Sequence, residues 1–105
     1  MSMLKVTNPF NGQTIAELPI TTEADVHTAI TRAADALSAF RKVPAHQRAR
    51  ILTDTGQRID QDREALAELI ARESGKPLRY ARGEVSRCIE TFTFAADEAR
   101  RIHGE

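Results

Sequence analysis

The sequence predicts a mainly α-helical chain that begins with a short β-hairpin. Two short β-compatible runs flank an Asn-Gly pair near the start, and from residue 22 onward apolar residues recur with the period of a helix. Glycine or proline stands where the periodic stretches end. With 105 residues, the chain is long enough for one core but too short for two lobes with a cleft between them. We therefore expect a single segment over residues 1–105.

The hairpin is predicted over about residues 3–19. The runs MLKVTNPF and QTIAELPI are compatible with strands, and Asn11-Gly12 between them tolerates the positive φ that a tight turn requires. Pro9 disfavours a helical conformation for Asn8. Because two strands bury little surface, we expect the hairpin to lie on the helices or on another part of a larger protein.

Helices are predicted over about residues 22–42, 45–60, 62–74 and 77–103. In the first, five apolar residues spaced four, three, four and three apart form one stripe: Val26, Ile30, Ala33, Leu37 and Phe40. Thr22 is a candidate N-cap, and Glu23 and Asp25 lie in the first turn, near the positive end of the helix dipole. This helix therefore has both a start signal and an apolar face.

The inner faces of the other three helices follow from the same spacing. Pro44 separates the first helix from the second, and Gly56 weakens the second. The acidic stretch from Asp60 to Asp62 offers a new N-cap for the third helix, and Gly75 ends it. Pro77 is suited to the first turn of the last helix. The residues predicted to face inward are Ile51, Leu52, Thr55, Ile59, Leu66, Leu69, Ile70, Val85, Cys88, Ile89, Phe92, Ala96, Ala99 and Ile102.

Composition excludes several classes of protein. Fifteen basic side chains balance fifteen acidic ones, so the net field favours neither nucleic acid nor an anionic membrane as partner. The single cysteine excludes an internal disulfide framework, and the polar start lacks a secretory signal. Apolar runs are far shorter than the roughly 20 residues that cross a bilayer. We therefore expect a soluble cytoplasmic protein.

The Gly75-Lys76 pair raises the possibility of a phosphate-binding loop. Such a loop needs a glycine five residues before the pair and a hydroxyl after the lysine. Ile70 and Pro77 occupy those positions, and proline lacks even the backbone N–H. The four residues from Ser74 to Pro77 instead fit a glycine-capped helix end followed by a proline-initiated helix.

No catalytic, cofactor-binding or metal-ligating residue is predicted. Cys88 lies in the middle of a helix on its apolar stripe, which favours a buried structural cysteine over a nucleophile. His27, His46 and His103 are too scattered for a zinc site. Two carboxylate pairs, Glu64 with Glu68 and Asp97 with Glu98, and five arginines are interpreted as solvated helix faces. The arginines are Arg79, Arg82, Arg87, Arg100 and Arg101.

The order of the motifs resembles the N-terminal segment of the NAD(P)-dependent aldehyde dehydrogenases. Three patterns carry the resemblance: an Asn-Pro-x-x-Gly hairpin in VTNPFNGQTIAELP, a Ser-Gly-Lys-Pro junction, and the helix start ARGEV that follows it. The likeness covers nearly the whole chain. It implies a longer α/β enzyme with a Rossmann-like cofactor domain, in which a cysteine forms a thiohemiacetal, NAD or NADP accepts hydride, and a glutamate-activated water releases the acid.

The resemblance also implies that the active site lies outside these residues. The chain has no Gly-rich cofactor turn, no Glu-Leu-Gly-Gly and no Gly-Gln-x-Cys, and Cys88 does not match the catalytic cysteine. Some members bind a monovalent cation at positions that match Val6, Thr7 and Glu84, although the family often has aspartate at the last. We therefore expect a non-catalytic, cofactor-free fragment that contacts the rest of such an enzyme or self-associates through apolar helix faces. A stand-alone helical interaction module is the alternative.

Overall fold

The computed structural model describes residues 2–103. The elements in chain order are β1 (Met3–Thr7), β2 (Thr14–Pro19), α1 (Glu23–Phe40), α2 (Ala45–Gln61), α3 (Arg63–Ser74) and α4 (Leu78–Arg101). The predicted fold class, mainly helical with an N-terminal antiparallel hairpin, is confirmed. Helices α1 and α4 each end two residues earlier than the sequence predicted.

The hairpin turns through the loop of residues 8–13 instead of a tight Asn-Gly turn. The backbone N–H of Asn8 donates to the carbonyl of Gln13 at 2.8 Å, which closes the loop. The side-chain oxygen of Asn8 also accepts the N–H of Phe10 at 2.9 Å. This local turn lengthens the connection, since the asparagine side chain competes with strand pairing for backbone groups. Gly12 supplies the expected positive φ of 73°.

Helices α2, α3 and α4 form the packed part of the chain, with α4 lying along both of the others. The five buried apolar residues of the described part are small: Ala49, Ala67, Ala81, Val85 and Ala96. Short side chains allow helix axes to approach closely. A Cβ atom built on Gly56 would lie 3.4 Å from the Cβ of Phe92, so α2 and α4 pass close to each other at this point.

Four residues predicted to face inward are exposed instead: Ile51, Leu69, Cys88 and Ile102. Ile51 is 52% exposed, Leu69 41% and Ile102 77%. The sequence pattern correctly identifies apolar faces, but in this chain only the parts of α2, α3 and α4 that face each other are covered. Ile102 also lies one residue beyond the end of α4.

Helix α1 begins with the predicted cap but buries none of its residues. The Thr22 hydroxyl accepts the N–H of Asp25 at 3.2 Å, and the Asp25 carboxylate accepts the N–H of Thr22 at 2.9 Å. The reciprocal pair satisfies two backbone donors that a helix start leaves open. The hydrogen bond from the Thr22 backbone, and to a smaller extent the one from the Thr22 hydroxyl, lower the pKa of Asp25 from its ordinary value of 3.8.

Arg48 of α2 holds the other end of α1. Its Nε donates to the carbonyl of Val43 at 3.0 Å, and one terminal nitrogen donates to the carbonyls of Phe40 and Arg41, both at 3.2 Å. The guanidinium carbon also lies 5.1 Å from the centre of the Phe40 ring. One side chain thus satisfies carbonyls that the end of a helix leaves without partners. We call these contacts the Arg48 clamp.

The chain exposes more surface than a compact domain of its size. Its radius of gyration is 18.0 Å, against about 13 Å for a compact domain of this length. Its accessible surface is 8525 Å², about 2,600 Å² more than the roughly 5,900 Å² typical of a folded monomer of this mass. Most of the apolar stripe of α1 belongs to that additional surface, because Val26, Ile30, Leu37 and Phe40 are each about half exposed or more.

Candidate functional site

The junction between α3 and α4 ends one helix and starts the next. Gly75 has a φ of 74°, in the left-handed region, and its N–H donates to the carbonyl of Ala71 at 2.9 Å. The Ser74 hydroxyl donates to the carbonyl of Ile70 at 2.6 Å. The predicted glycine cap is confirmed. Pro77 lies just before the first helical residue of α4, at the N-cap position.

The lysine of the junction is engaged by protein. The ammonium group of Lys76 forms an ion pair with the carboxylate of Glu84 on α4, and both side chains are about one-third exposed. Arg87 lies 3.9 Å from the same carboxylate. Because Lys76 already has an anionic partner, the geometry agrees with the interpretation of SGKP as a helix junction and not as a phosphate cradle.

The hairpin loop lies against this junction. A Cβ atom built on Gly75 would lie 3.0 Å from Cγ of Pro9, closer than ordinary van der Waals contact. Glycine is therefore favoured here by its left-handed backbone conformation, and a larger residue would also have to displace the Pro9 ring by a few tenths of an ångström. The Asn-Pro-x-x-Gly hairpin and the Ser-Gly-Lys-Pro junction, separate motifs in the sequence, are neighbours in the fold.

Cys88 is exposed, and the prediction that it is buried is wrong. It lies at the rim of an open apolar hollow of about 250 Å³ between α2, α3 and α4, lined by Ile59, Leu66, Ile70, Glu84, Val85 and Cys88. The helical spacing correctly placed Cys88 beside Val85. It did not show that the two neighbouring helices leave this part of the face uncovered.

The histidines and most acidic residues do not form a site. His27, His46 and His103 are exposed, and His103 lies beyond the end of α4. Across residues 2–103, no group of three or more His, Cys, Asp and Glu side chains is arranged to hold a metal ion. Glu84, a position that the resemblance connects with a cation, is paired with Lys76 and approached by Arg87.

One ion pair across α3 and α4 went unrecognised in the sequence. Arg82 donates through Nε to both carboxylate oxygens of Glu64, at 3.2 and 3.1 Å, and through a terminal nitrogen at 2.5 Å. The hydrogen bond from Arg82 lowers the pKa of Glu64. Nearby, Arg63 donates to the Ser86 hydroxyl at 2.8 Å. The paired residues lie 18 and 23 positions apart on two different helices, so no local spacing signals these contacts.

None of the helices in the described part of the chain has the length and apolar character needed to span a membrane.

Comparison with known proteins gives a single family. The family model described as "Aldehyde dehydrogenase family" matches residues 1–105. The chain is 39% identical to malonate-semialdehyde dehydrogenase 1 of Geobacillus kaustophilus over 102 residues. The matched region covers 97% of this chain and 21% of that enzyme. The chain is also 36% identical over 102 residues to 3-sulfolactaldehyde dehydrogenase of Priestia aryabhattai, with the same coverage.

Solved structures give the same result. Aldehyde dehydrogenase 21 of Physcomitrella patens, in complex with the reaction product succinate, superposes with a TM-score of 0.94 at 38% identity and covers 99% of this chain. An NADP-dependent glyceraldehyde-3-phosphate dehydrogenase of Bacillus halodurans, complexed with NADP, superposes with a TM-score of 0.94 at 32% identity. In both cases 22% of the known chain is matched. The chain thus spans about one fifth of the length of the relatives it matches.

Proposed function

Because the chain belongs to the aldehyde dehydrogenase family, we propose that it is a scaffold segment of an NAD(P)-dependent aldehyde dehydrogenase and supplies no catalytic group of its own. The observation that carries this proposal is the family match over residues 1–105 in a chain that spans only about 21% of a relative. The segment forms the N-terminal part of the cofactor-binding domain, and NAD or NADP binds to the complete enzyme.

The complete enzyme oxidises an aldehyde to a carboxylic acid. In the reaction implied by the family, a cysteine thiolate adds to the aldehyde and hydride leaves to the nicotinamide. Cys88 is not that cysteine, since it lies in the middle of α4 and outside any Gly-Gln-x-Cys sequence. We propose a short aldehyde that carries an acid group as the substrate, because the names of two matched relatives, malonate semialdehyde and 3-sulfolactaldehyde dehydrogenases, specify such compounds.

The exposed surface supports a structural role. The chain exposes about 2,600 Å² more accessible surface than a compact monomer of its mass. This excess is as large as the area buried in large protein interfaces, which is about 2,000 Å² or more. The apolar faces of α1, α2 and α4 are therefore suited to contact the rest of such an enzyme. In the absence of that partner the chain self-associates through exposed apolar helix surface. Its environment is the cytoplasm.

A cofactor-reduction assay tests the proposal. The 105-residue chain is incubated with NAD or NADP and with malonate semialdehyde, and formation of the reduced cofactor is followed. We expect none, whereas the malonate-semialdehyde dehydrogenase of Geobacillus kaustophilus, assayed beside it, is the positive control. Turnover by the chain that survives extensive purification would refute the non-catalytic role.

The alternative, a stand-alone helical interaction module without enzymatic activity, is not favoured by the comparisons. A stand-alone module of this kind is expected to bury its apolar faces within its own chain. This chain instead leaves Ile30 and Leu37 each 61% exposed.

A further inference from the structure

We propose that α1 is the self-association surface of this chain, on which the α1 helices of two copies pair in antiparallel directions. The inference deepens the proposed function, because it identifies which apolar face the isolated segment uses. It stands on three independent observations: the spacing of the stripe, the position of two charged residues, and the way in which both ends of α1 are fixed.

The apolar stripe of α1 has the spacing of a helix-pairing seam. Its members recur four, three, four and three positions apart, a mean period of about 3.5 that keeps one seam facing a partner helix. Every member is exposed: Val26, Ile30, Ala33, Leu37 and Phe40. The positions that flank the seam are occupied mainly by alanine, at Ala29, Ala34 and Ala36. Small flanking side chains allow a second helix to approach closely without burying a charge.

Two charged residues select the antiparallel direction. Glu23 begins α1, and Arg41 follows its last residue. They are eighteen positions apart, which is about five full helical turns, so both lie on the same edge of the stripe. In an antiparallel pair related by a twofold axis, Glu23 of one copy lies beside Arg41 of the other at both ends. A parallel pair would place like charges together, and it would also align the helix dipoles unfavourably.

The same arrangement matches large with small side chains along the seam. When Val26 of one copy faces Leu37 of the second, Ile30 faces Ala33 at the centre. The central layers thus combine a large residue with a small one, which is the combination that fills space between closely spaced helices.

Helix α1 needs little ordering before it pairs. The Thr22 capping box fixes its start, and the Arg48 clamp fixes its end relative to α2. An isolated helix of this length is only marginally stable in water. Because the two ends are already held, less conformational entropy is lost on association.

The experiment is sedimentation equilibrium of the complete chain over a wide concentration range. We expect a monomer–dimer equilibrium, and we expect Leu37→Asp to weaken it by at least about tenfold, because an apolar side chain of the seam is replaced by a charge. The control is Phe94→Asp, which removes an apolar side chain that is 69% exposed on α4. This control should leave the dissociation constant unchanged. Since both positions are exposed, both variants should retain their helical circular dichroism.

Charge reversal tests the direction. Glu23→Lys and Arg41→Glu should each weaken the dimer by about threefold, as expected for exposed ion pairs, and the double variant should restore it. A wild-type chain that stays monomeric at every concentration would overturn the inference and would indicate that another occupant, such as the rest of an aldehyde dehydrogenase, covers this face. Equal weakening by Phe94→Asp, or a double variant that is not restored, would also overturn it. None of these outcomes changes the result expected in the cofactor-reduction assay, so the two proposals fail separately.

Discussion

Helix α1 and helix α4 carry the same kind of apolar stripe, yet their surroundings differ. On α4, Val85 is 2% exposed and Ala81 and Ala96 are buried against α2 and α3. On α1, Ile30 and Leu37 are each 61% exposed. The comparison shows that apolar residues with a period of 3.6 predict an apolar helix face. Which element packs on that face depends on residues elsewhere in the chain.

The two regions are also held by different forces. Helices α2 to α4 are held by packing of small side chains, so their stability depends on shape. Helix α1 is held at its ends by hydrogen bonds, from the Thr22 capping box and the Arg48 clamp. Substitutions should therefore act on the two regions in different ways.

The sharpest contrast is between two alanines, one from each region. Ala81→Asp places a charge at a fully buried position and should lower the free energy of unfolding by about 4 kcal/mol or more. Ala34→Asp makes the same change on exposed α1 and should cost within about 1 kcal/mol. Urea denaturation followed by circular dichroism measures both, and equal effects would break the contrast.

Two glycines test how firmly the hairpin is attached to the helices. Gly75→Ala should destabilise by about 1–2 kcal/mol because alanine disfavours the left-handed region, and further because its methyl group would meet Pro9 at 3.0 Å. Gly12→Ala is the control, since it has a similar φ but no atom within 4 Å of the added Cβ. If the two variants lost the same stability, the contact between hairpin and junction would contribute nothing.

The Arg48 clamp predicts a local effect. Arg48→Ala should loosen the end of α1 by about 1 kcal/mol, because charged hydrogen bonds to carbonyls are lost, and should leave α3 and α4 unchanged. Native-state hydrogen exchange resolves this, with faster exchange expected at Arg41 and Lys42, whose N–H groups close the helix end. Arg50→Ala is the control on the same helix, since Arg50 makes only an exposed 4.0 Å ion pair. Faster exchange throughout the chain would contradict a local role.

The smallest effect is a pH dependence. The pKa of Glu64 is lowered from 4.5 by its hydrogen bond from Arg82, so this ion pair contributes stability above that pH and loses it as the pH falls through the lowered value. The pKa of Asp25 is likewise lowered from 3.8 by its hydrogen bonds with Thr22. The Thr22 capping box should therefore also lose stability as the pH falls through the lowered value. NMR titration of the two carboxyl groups measures the shifts. Arg82→Gln should return only the pKa of Glu64 to its ordinary value.

The parts of the fold that depend on neighbouring residues were predictable from the sequence. The Thr22 cap, the glycine cap at Gly75 and the loop of the hairpin all rest on contacts within about five positions. The exposure of Cys88 and Ile51 was not predictable, since it depends on how far α2 and α3 extend over α4. The pairing of Arg82 with Glu64 joins residues eighteen positions apart and leaves no periodic signal. The same holds for the candidate site. The helix junction was predictable from adjacent residues, whereas the ion pair between Lys76 and Glu84 was not.

The Arg48 clamp has a consequence for how this segment can diverge. Arg48 binds backbone carbonyls of residues 40, 41 and 43, and every amino acid provides a carbonyl. Apart from the contact with the Phe40 ring, the clamp thus involves no side chain of α1. Mutation can therefore redesign the apolar face of α1 for a different neighbour while the helix keeps its orientation, so the surface and its placement evolve as separate traits.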